Sequence, residues 1–310
     1  MSSARHGNSV LPLSRLGLGA AGLGGAYGTL DERAAIATVH RAFELGVTWF
    51  DASPYYGATQ GESVLGKALR DLPREQFVLS TKAGRYGVDS FDFRPERLRR
   101  SLDESLRRLQ VDHLDLFLLH DVEFGDLTRI LDESLPALAA LRATGKVRSI
   151  GLSGLPLAIF RRVLAAGVPC DVALSYCHAT LLDRSLCELA PALAAAGITV
   201  LNASPAAMGL LSNQGPPAWH PAPADLRQVC RSAAALCRSR GVELAELALS
   251  YTMTLPGIAA TVSGAVSPQQ LEANVRAAAA APDPELLAAV QAVLAPNFGQ
   301  TWPQGRAENQ

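Results

Sequence analysis

The stretch LGLGAAGLGG, Leu16 to Gly25, carries the pattern G-x-G-x-x-G at Gly17, Gly19 and Gly22, and its reading decides the architecture. In a Rossmann nucleotide fold a helix opens directly on these glycines, presents its free N–H groups to a pyrophosphate, and is followed about 20 residues on by an acidic residue. Here Gly24, Gly25 and Gly28 prolong the loop, and the first good N-cap is Asp31, ahead of the apolar positions Ala35, Ile36, Val39, Phe43 and Leu45. The glycines lie too far from a helix N-terminus for the Rossmann role. The pattern predicts a strand over Leu13 to Gly19 and then a loop where a ligand or another backbone approaches closely.

Working outward, short β-rich runs alternate with helical stretches. VTWFD precedes QGESVLGKAL, FVLST precedes PERLRRSLDESLRRLQ, and LDLFLLH precedes LTRILDESLPALAALRATG. KVRSIGLS then precedes PLAIFRRVLAAG, DVALSY precedes SLCELAPALAAAG, TVLNAS precedes a helix from about Asp225 to Thr254, and IAATVSG precedes SPQQLEANVRAAAA. With Leu13 to Gly19 and the helix from Asp31 to Leu45 these make eight strand-helix units without a break in composition. That pattern predicts an α/β fold of the (β/α)8 TIM-barrel type, one domain over 1–310, rather than an open doubly wound sheet. Beyond it, ANVRAAAAAPDPELLAAVQAVL reads as the last barrel helix plus a C-terminal helix separated at Pro282 and Pro284, and Asn297 to Gln310 as a lid or a disordered tail.

The bulk composition agrees with a barrel. The 310 residues fit two ordinary domains or one barrel of about 250 residues with insertions. A formal net charge of -1 offers no general attraction to nucleic acid or an anionic membrane, and Arg97, Arg99, Arg100, Arg107 and Arg108 alternate with Asp103 and Glu104 as a solvated helix face. Five cysteines without a C-x-x-C pair fit a reduced cytoplasmic protein and argue against a zinc site. MSSARHGNSV has no apolar leader core, and no apolar run reaches the roughly 18 residues of a membrane span.

In such a barrel the chemistry belongs at the C-terminal strand ends. Asp51 follows VTWF, Lys82 follows FVLST, His120 follows LDLFLL, and Tyr56 lies five residues beyond Asp51 in FDASPYYG. Singly each has a plain reading: a turn aspartate, a snorkelling lysine, a structural or metal-binding histidine, a core tyrosine. Together they have one use. A buried ammonium beside a tyrosine stabilises phenolate and is expected to lower the Tyr56 pKa from about 10 toward the working range, Asp51 keeps Lys82 charged, and His120 orients a substrate oxygen.

FDASPYYG, STK and LLHD resemble the catalytic tetrad of the aldo-keto reductases, NAD(P)-dependent barrel oxidoreductases, and the resemblance runs over nearly the whole chain. Longer strings, LHDVEFG, GKVRSIGLSGLPLAIF, LSYCH, NASPAAMGLL and QGPPAWHPA, are similar in particular to the L-galactose dehydrogenases, with L-fucose and D-threo-aldose 1-dehydrogenases as near relatives. The resemblance implies oxidation of a small sugar at C1 to a lactone, with Tyr56 as general base. It places Gly19 and Ala20 near the nicotinamide and Ser153 on its carboxamide. The following Asn of relatives is Gly154 here, and the Tyr that stacks on the ring in many relatives is Ala203, which leaves Tyr176 as the candidate replacement. Ser204, Ala206, Gly209 and Leu210 match the pyrophosphate segment, and Ser263, Gly264, Gln270 and Asn274 the adenosine end. From Ser263 to Val275 there is no basic residue, with Val266 and Gln270 where NADP-dependent relatives carry a cation, so NAD is expected over NADP. The loops Val122 to Gly125 and Gln214 to Pro223 are expected to discriminate among sugars. Two other readings compete: a nicotinamide-binding regulatory subunit without turnover, and a carbonyl reductase working in the opposite direction.

Overall fold

The computed structural model describes residues 11–25 and 31–310. The N-terminal ten residues and Gly28, on which two of the readings above fall, lie outside them. Eight parallel strands close into a barrel in chain order: β1 (Leu16–Gly19), β2 (Trp49–Asp51), β3 (Val78–Ala83), β4 (Leu114–Leu119), β5 (Val147–Gly154), β6 (Val172–Tyr176), β7 (Thr199–Ala203) and β8 (Ala260–Gly264). Closure is made by β1 on β8, with Leu16 opposite Thr261 and Gly19 opposite Gly264. Alternation along each strand sends Trp49, Val78, Leu116, Leu118, Val172, Leu174, Leu201 and Val262 into an inner core, while Phe50, Leu79, Phe117, Leu119, Ile150 and Val200 join the core beneath the helices.

The outer layer comprises α1 (Glu32–Glu44), α2 (Gln60–Leu69), α3 (Pro95–Leu109), α4 (Leu127–Arg129), α5 (Leu135–Ala143), α6 (Leu157–Ala166), α7 (Ser185–Ala195), α8 (Ala224–Ser239), α9 (Leu244–Thr252), α10 (Pro268–Ala279) and α11 (Pro284–Leu294). Asp31 caps α1 by accepting from the Ala34 N–H at 3.1 Å, as its sequence position predicts.

Three element boundaries differ from expectation. The first strand begins at Leu16, because the Ser14 hydroxyl donates to the Leu16 carbonyl and accepts from the N–H groups of Thr48 and Trp49, turning Leu13 to Arg15 into a lead-in. The helix expected from Asp225 to Thr254 is two helices: Gly241, at φ +69, ends α8, and the Glu243 carboxylate accepts from the Ala245 N–H to start α9. Between α4 and α5 the chain widens into a π turn, Ile130–Ser134, just before Pro136, which has no N–H to return to Asp132. The break before α11 falls where the prolines put it, with Asp283 as its cap.

The tail is docked. Trp302 is buried against His220, with ring centroids 4.8 Å apart, and the Asn309 side-chain amide donates to the carbonyls of Glu123 and Gly125, both at 2.9 Å. These contacts join the tail to both loops that the sequence marks for substrate discrimination.

Candidate active site

Two of the three fingerprint glycines, Gly17 and Gly22, answer to packing, whereas a Cβ on Gly19 would make only an ordinary 3.4 Å contact with Val262. A Cβ on Gly17 would lie 2.4 Å from the Trp49 ring, one on Gly22 3.0 Å from Val266, and one on Gly24 2.8 Å from the Tyr56 carbonyl. Gly57, at φ +60, is closer still, with its missing Cβ 1.8 Å from the Gly24 carbonyl oxygen. The glycine loop therefore lies directly on the backbone that carries Tyr56. Ala58 and Thr59 also take positive φ, so three successive residues bend the chain back over the barrel mouth.

Asp51, Tyr56, Lys82 and His120 meet there. The Lys82 ammonium, 1% exposed, donates to Asp51 Oδ2 at 2.5 Å, to the Ala52 carbonyl at 2.9 Å and to the Tyr56 hydroxyl at 3.1 Å. Burial opposes its charge, but Asp51 and Tyr56 outweigh burial and hold the ammonium above its ordinary range. Asp51 is fixed from behind, since the Trp49 indole donates to Ser80 Oγ at 2.9 Å and Ser80 donates to Asp51 Oδ1 at 2.7 Å.

His120 stands edge-on to Tyr56, ring centroids 5.6 Å apart. Ser53 Oγ accepts from the Tyr55 N–H at 3.1 Å and lies 2.7 Å from His120 Nδ1, a contact that either ring tautomer satisfies because the hydroxyl both donates and accepts, while Nε2 lies 3.7 Å from Asp121 Oδ2. Burial, with Lys82 and Arg85 adding to it against the pull of Asp121, lowers the His120 pKa to about 3. The side chain is thus a neutral donor at physiological pH.

The structure reverses the expectation for Tyr56. Burial pushes its pKa up to about 12 although Lys82 pulls down, because Asp51 cancels much of the ammonium field. Three neighbours that sequence reasoning missed, Ser53, Ser80 and Arg85, contact the cluster or its supports, and Glu123 lies further along the loop after β4. Ser53 and Ser80 have no signal beyond their place in FDASPYYG and FVLST. Arg85 forms a 2.5 Å ion pair with Asp121 and lies 3.9 Å from the Tyr55 ring centre. Glu123, within the quoted LHDVEFG, is fully buried.

The expected cofactor contacts ring the same end of the barrel. Gly19 and Gly264 end neighbouring strands, with Ala20 and Ser263 adjacent, and the Ala20 N–H donates to the Asp51 carbonyl at 2.8 Å. Ser153 donates to the Leu119 carbonyl at 3.2 Å. Gly154 faces the helical layer, and the half-buried Tyr176 donates its hydroxyl to Glu123 at 3.0 Å. After β7, Ser204, Ala207, Met208 and Gly209 take positive φ, and Ala206 and Gly209 lie in this twisted turn, while Leu210 sends its side chain into the core. At α10 the Gln270 carboxamide oxygen accepts from the Val266 N–H at 2.9 Å, and Asn274 donates to the Gly264 carbonyl at 3.0 Å. A cavity of about 500 Å³, bounded by Leu155, His178, Asp183, Phe298 and Trp302, lies beside this mouth and includes none of the four clustered residues. Among the described residues no group of three or more His, Cys, Asp or Glu side chains could hold a metal, and no helix is long and apolar enough to cross a membrane.

The family model for the aldo/keto reductase family matches residues 15–295. The chain belongs to the aldo/keto reductase family. It is 46% identical over 98% of its length, and 97% of the relative's, to L-galactose dehydrogenase of Arabidopsis thaliana. It is 31% identical to D-threo-aldose 1-dehydrogenase of a Pseudomonas species, over 87% of this chain and 90% of that one. Among solved structures, an aldo-keto reductase of Bacillus halodurans in its holo form superposes with a TM-score of 0.77 at 27% identity, covering 98% of each chain. As an aldo/keto reductase this chain is an oxidoreductase of a family that works with nicotinamide cofactors.

Proposed function

We propose that this chain oxidises L-galactose at C1 to L-galactonolactone with NAD as the hydride acceptor. The observation that carries the reading is the buried Lys82 ammonium, shared between Asp51 and the Tyr56 hydroxyl beside the neutral His120 ring. The sugar comes from similarity to the Arabidopsis enzyme, and L-fucose or a D-threo-aldose such as D-arabinose is the next choice.

When bound, the cofactor supplies the acceptor for the C1 hydride. Tyr56 Oη takes the proton of the anomeric hydroxyl, Lys82 stabilises the phenolate so used, and His120 donates from Nε2 to the same oxygen and holds it in line. Gly19, Ala20, Ser153 and Tyr176 would hold the nicotinamide end, the turn from Ser204 through Ala206 to Leu210 the pyrophosphate, and Ser263, Gly264, Gln270 and Asn274 the adenosine end. The run of positive φ after β7 supports the middle assignment, since such backbone directs N–H groups toward an anion. NAD is favoured over NADP because Ser263 to Val275 carries no cation for a 2′-phosphate. All five cysteines are free thiols, which fits a cytoplasmic setting.

One observation favours a second reading. A Tyr56 kept neutral up to about pH 12 is in the correct form to donate a proton to a carbonyl, the reductive direction. Initial rates with L-galactose, L-fucose, D-arabinose and D-galactose, each with NAD and NADP, decide between them. The expected result is the highest kcat/KM for L-galactose with NAD, rising with pH from 7 to 10 as Tyr56 yields its proton more readily. Aldehyde reduction with NADPH and no sugar turnover would overturn both substrate and cofactor.

A further inference from the structure

Glu123 is a carboxyl with no place in the chemistry described so far. Its side chain is fully buried in the 3-10 turn Val122–Phe124 that follows β4, two residues beyond the Arg85–Asp121 pair, and among the described residues it forms no ion pair. Oε1 accepts from the Leu155 N–H and from the Tyr176 hydroxyl, both at 3.0 Å, while Oε2 is buried without a partner among the described residues. Oε2 points at Gly154, where a Cβ would lie 2.6 Å from it and 2.2 Å from Ile159 Cδ1. The space that a side chain at position 154 would need is thus taken by the Glu123 carboxyl and Ile159.

The main chain of Glu123 is held as firmly. Its carbonyl accepts from the Arg306 N–H and the Asn309 amide, both at 2.9 Å, and the tail comes this near because residue 305 is glycine, whose Cβ would fall 2.4 Å from that oxygen. A residue clamped by the tail on one side thus grips, on the other, the hydroxyl of a tyrosine that ends a barrel strand at the mouth.

We propose that Glu123 is a positioning residue of the nicotinamide pocket, its carboxyl replacing the absent side chain at position 154 and fixing the Tyr176 phenol as a wall against the cofactor ring. The inference rests on the reading that a nicotinamide cofactor binds at this mouth. Burial and the neighbouring Asp121 carboxylate push the Glu123 pKa up to about 8, so near neutral pH the group is the uncharged acid. Glutamine reproduces that form closely. Its carbonyl oxygen accepts the same two hydrogen bonds, and its amide stands where the acid proton does.

The test is NADH binding, followed by fluorescence at pH 7, in the full-length wild type, Glu123→Gln, Glu123→Leu, Tyr176→Phe and the Glu123→Leu/Tyr176→Phe double variant. The expected result is a Kd within about twofold of wild type for Glu123→Gln, weakened about tenfold in Glu123→Leu and in Tyr176→Phe, and no weaker in the double variant than in the poorer single. Wild-type affinity in Glu123→Leu, additive losses in the double variant, or a glutamine variant as weak as the leucine one would each overturn it. If Glu123→Leu does not fold, full affinity in Tyr176→Phe overturns the proposal, while a tenfold loss there beside a Kd within about twofold of wild type in Glu123→Gln sustains it. A wild-type protein that binds neither NADH nor NADPH refutes the nicotinamide reading itself, and the positioning role with it.

Discussion

Asp51 and Lys82 illustrate how a buried pair constrains chemistry at a single residue. Each ion is nearly inaccessible, so either one alone would lack both water and a counter-charge. Asp51→Ala is expected to lower the unfolding free energy by about 3–5 kcal/mol in urea titrations, because Lys82 is then left unpaired. A loss below about 1 kcal/mol would mean that water enters the site. Tyr56→Phe removes only the hydroxyl. It is expected to cost about 10²–10⁴ in kcat while leaving the NADH dissociation constant within a few-fold, as measured by steady-state rates beside fluorescence binding. Turnover at the wild-type rate would remove Tyr56 from the proton path.

At the scale of elements, the loop from Asp51 to Thr59 is shaped by its contact with the glycine loop after β1. Gly57→Ala introduces a Cβ that meets the Gly24 carbonyl and sits at φ +60, a region that costs an L-residue about 1–2 kcal/mol before any clash. The variant should lose at least that much stability. Its kcat should fall about tenfold or more, since displacement of a catalytic group by about 1 Å can cost 10²-fold. Circular-dichroism melts with initial rates check both, and an alanine variant with native kcat would separate the loop contact from the placement of Tyr56. Most elements were legible from the alternation of β-rich and helical runs, including the prolines before α11. The division of α8 from α9 was written as Arg240-Gly241-Val242-Glu243, but apolar periodicity on both sides masked it. The π turn had only Pro136 as a clue.

Over the whole molecule, two buried groups act on the pH dependence of stability from opposite sides. Glu123 titrates near pH 8 in the fold, above the ordinary carboxylate value of 4.5, so the folded chain keeps a proton that the unfolded chain gives up. Its contribution is complete below about pH 4.5 and is lost as pH rises through 8. His120 is lowered from 6.5 to about 3, and its contribution is present above pH 6.5 and lost as pH falls toward 3. Glu123→Gln should therefore raise the thermal midpoint relative to wild type more at pH 8.5 than at pH 5, measured by calorimetry. An equal shift at both values would mean that folding does not raise the Glu123 pKa.

The sequence by itself determined eight strand-helix units, the order in which they close, and the strand ends that carry Asp51, Lys82 and His120, because periodicity and turn chemistry are local properties of the chain. Only the tertiary structure decided the state of those groups. Burial overrides Lys82 at Tyr56, burial keeps His120 neutral beside Ser53, and the docked tail holds the Glu123 main chain while its carboxyl binds the Tyr176 hydroxyl. Desolvation and electric field depend on which distant segments exclude water around an atom, and in this protein those segments are drawn from β3, from the loops after β1, β2, β3, β4 and β6, and from the C-terminus.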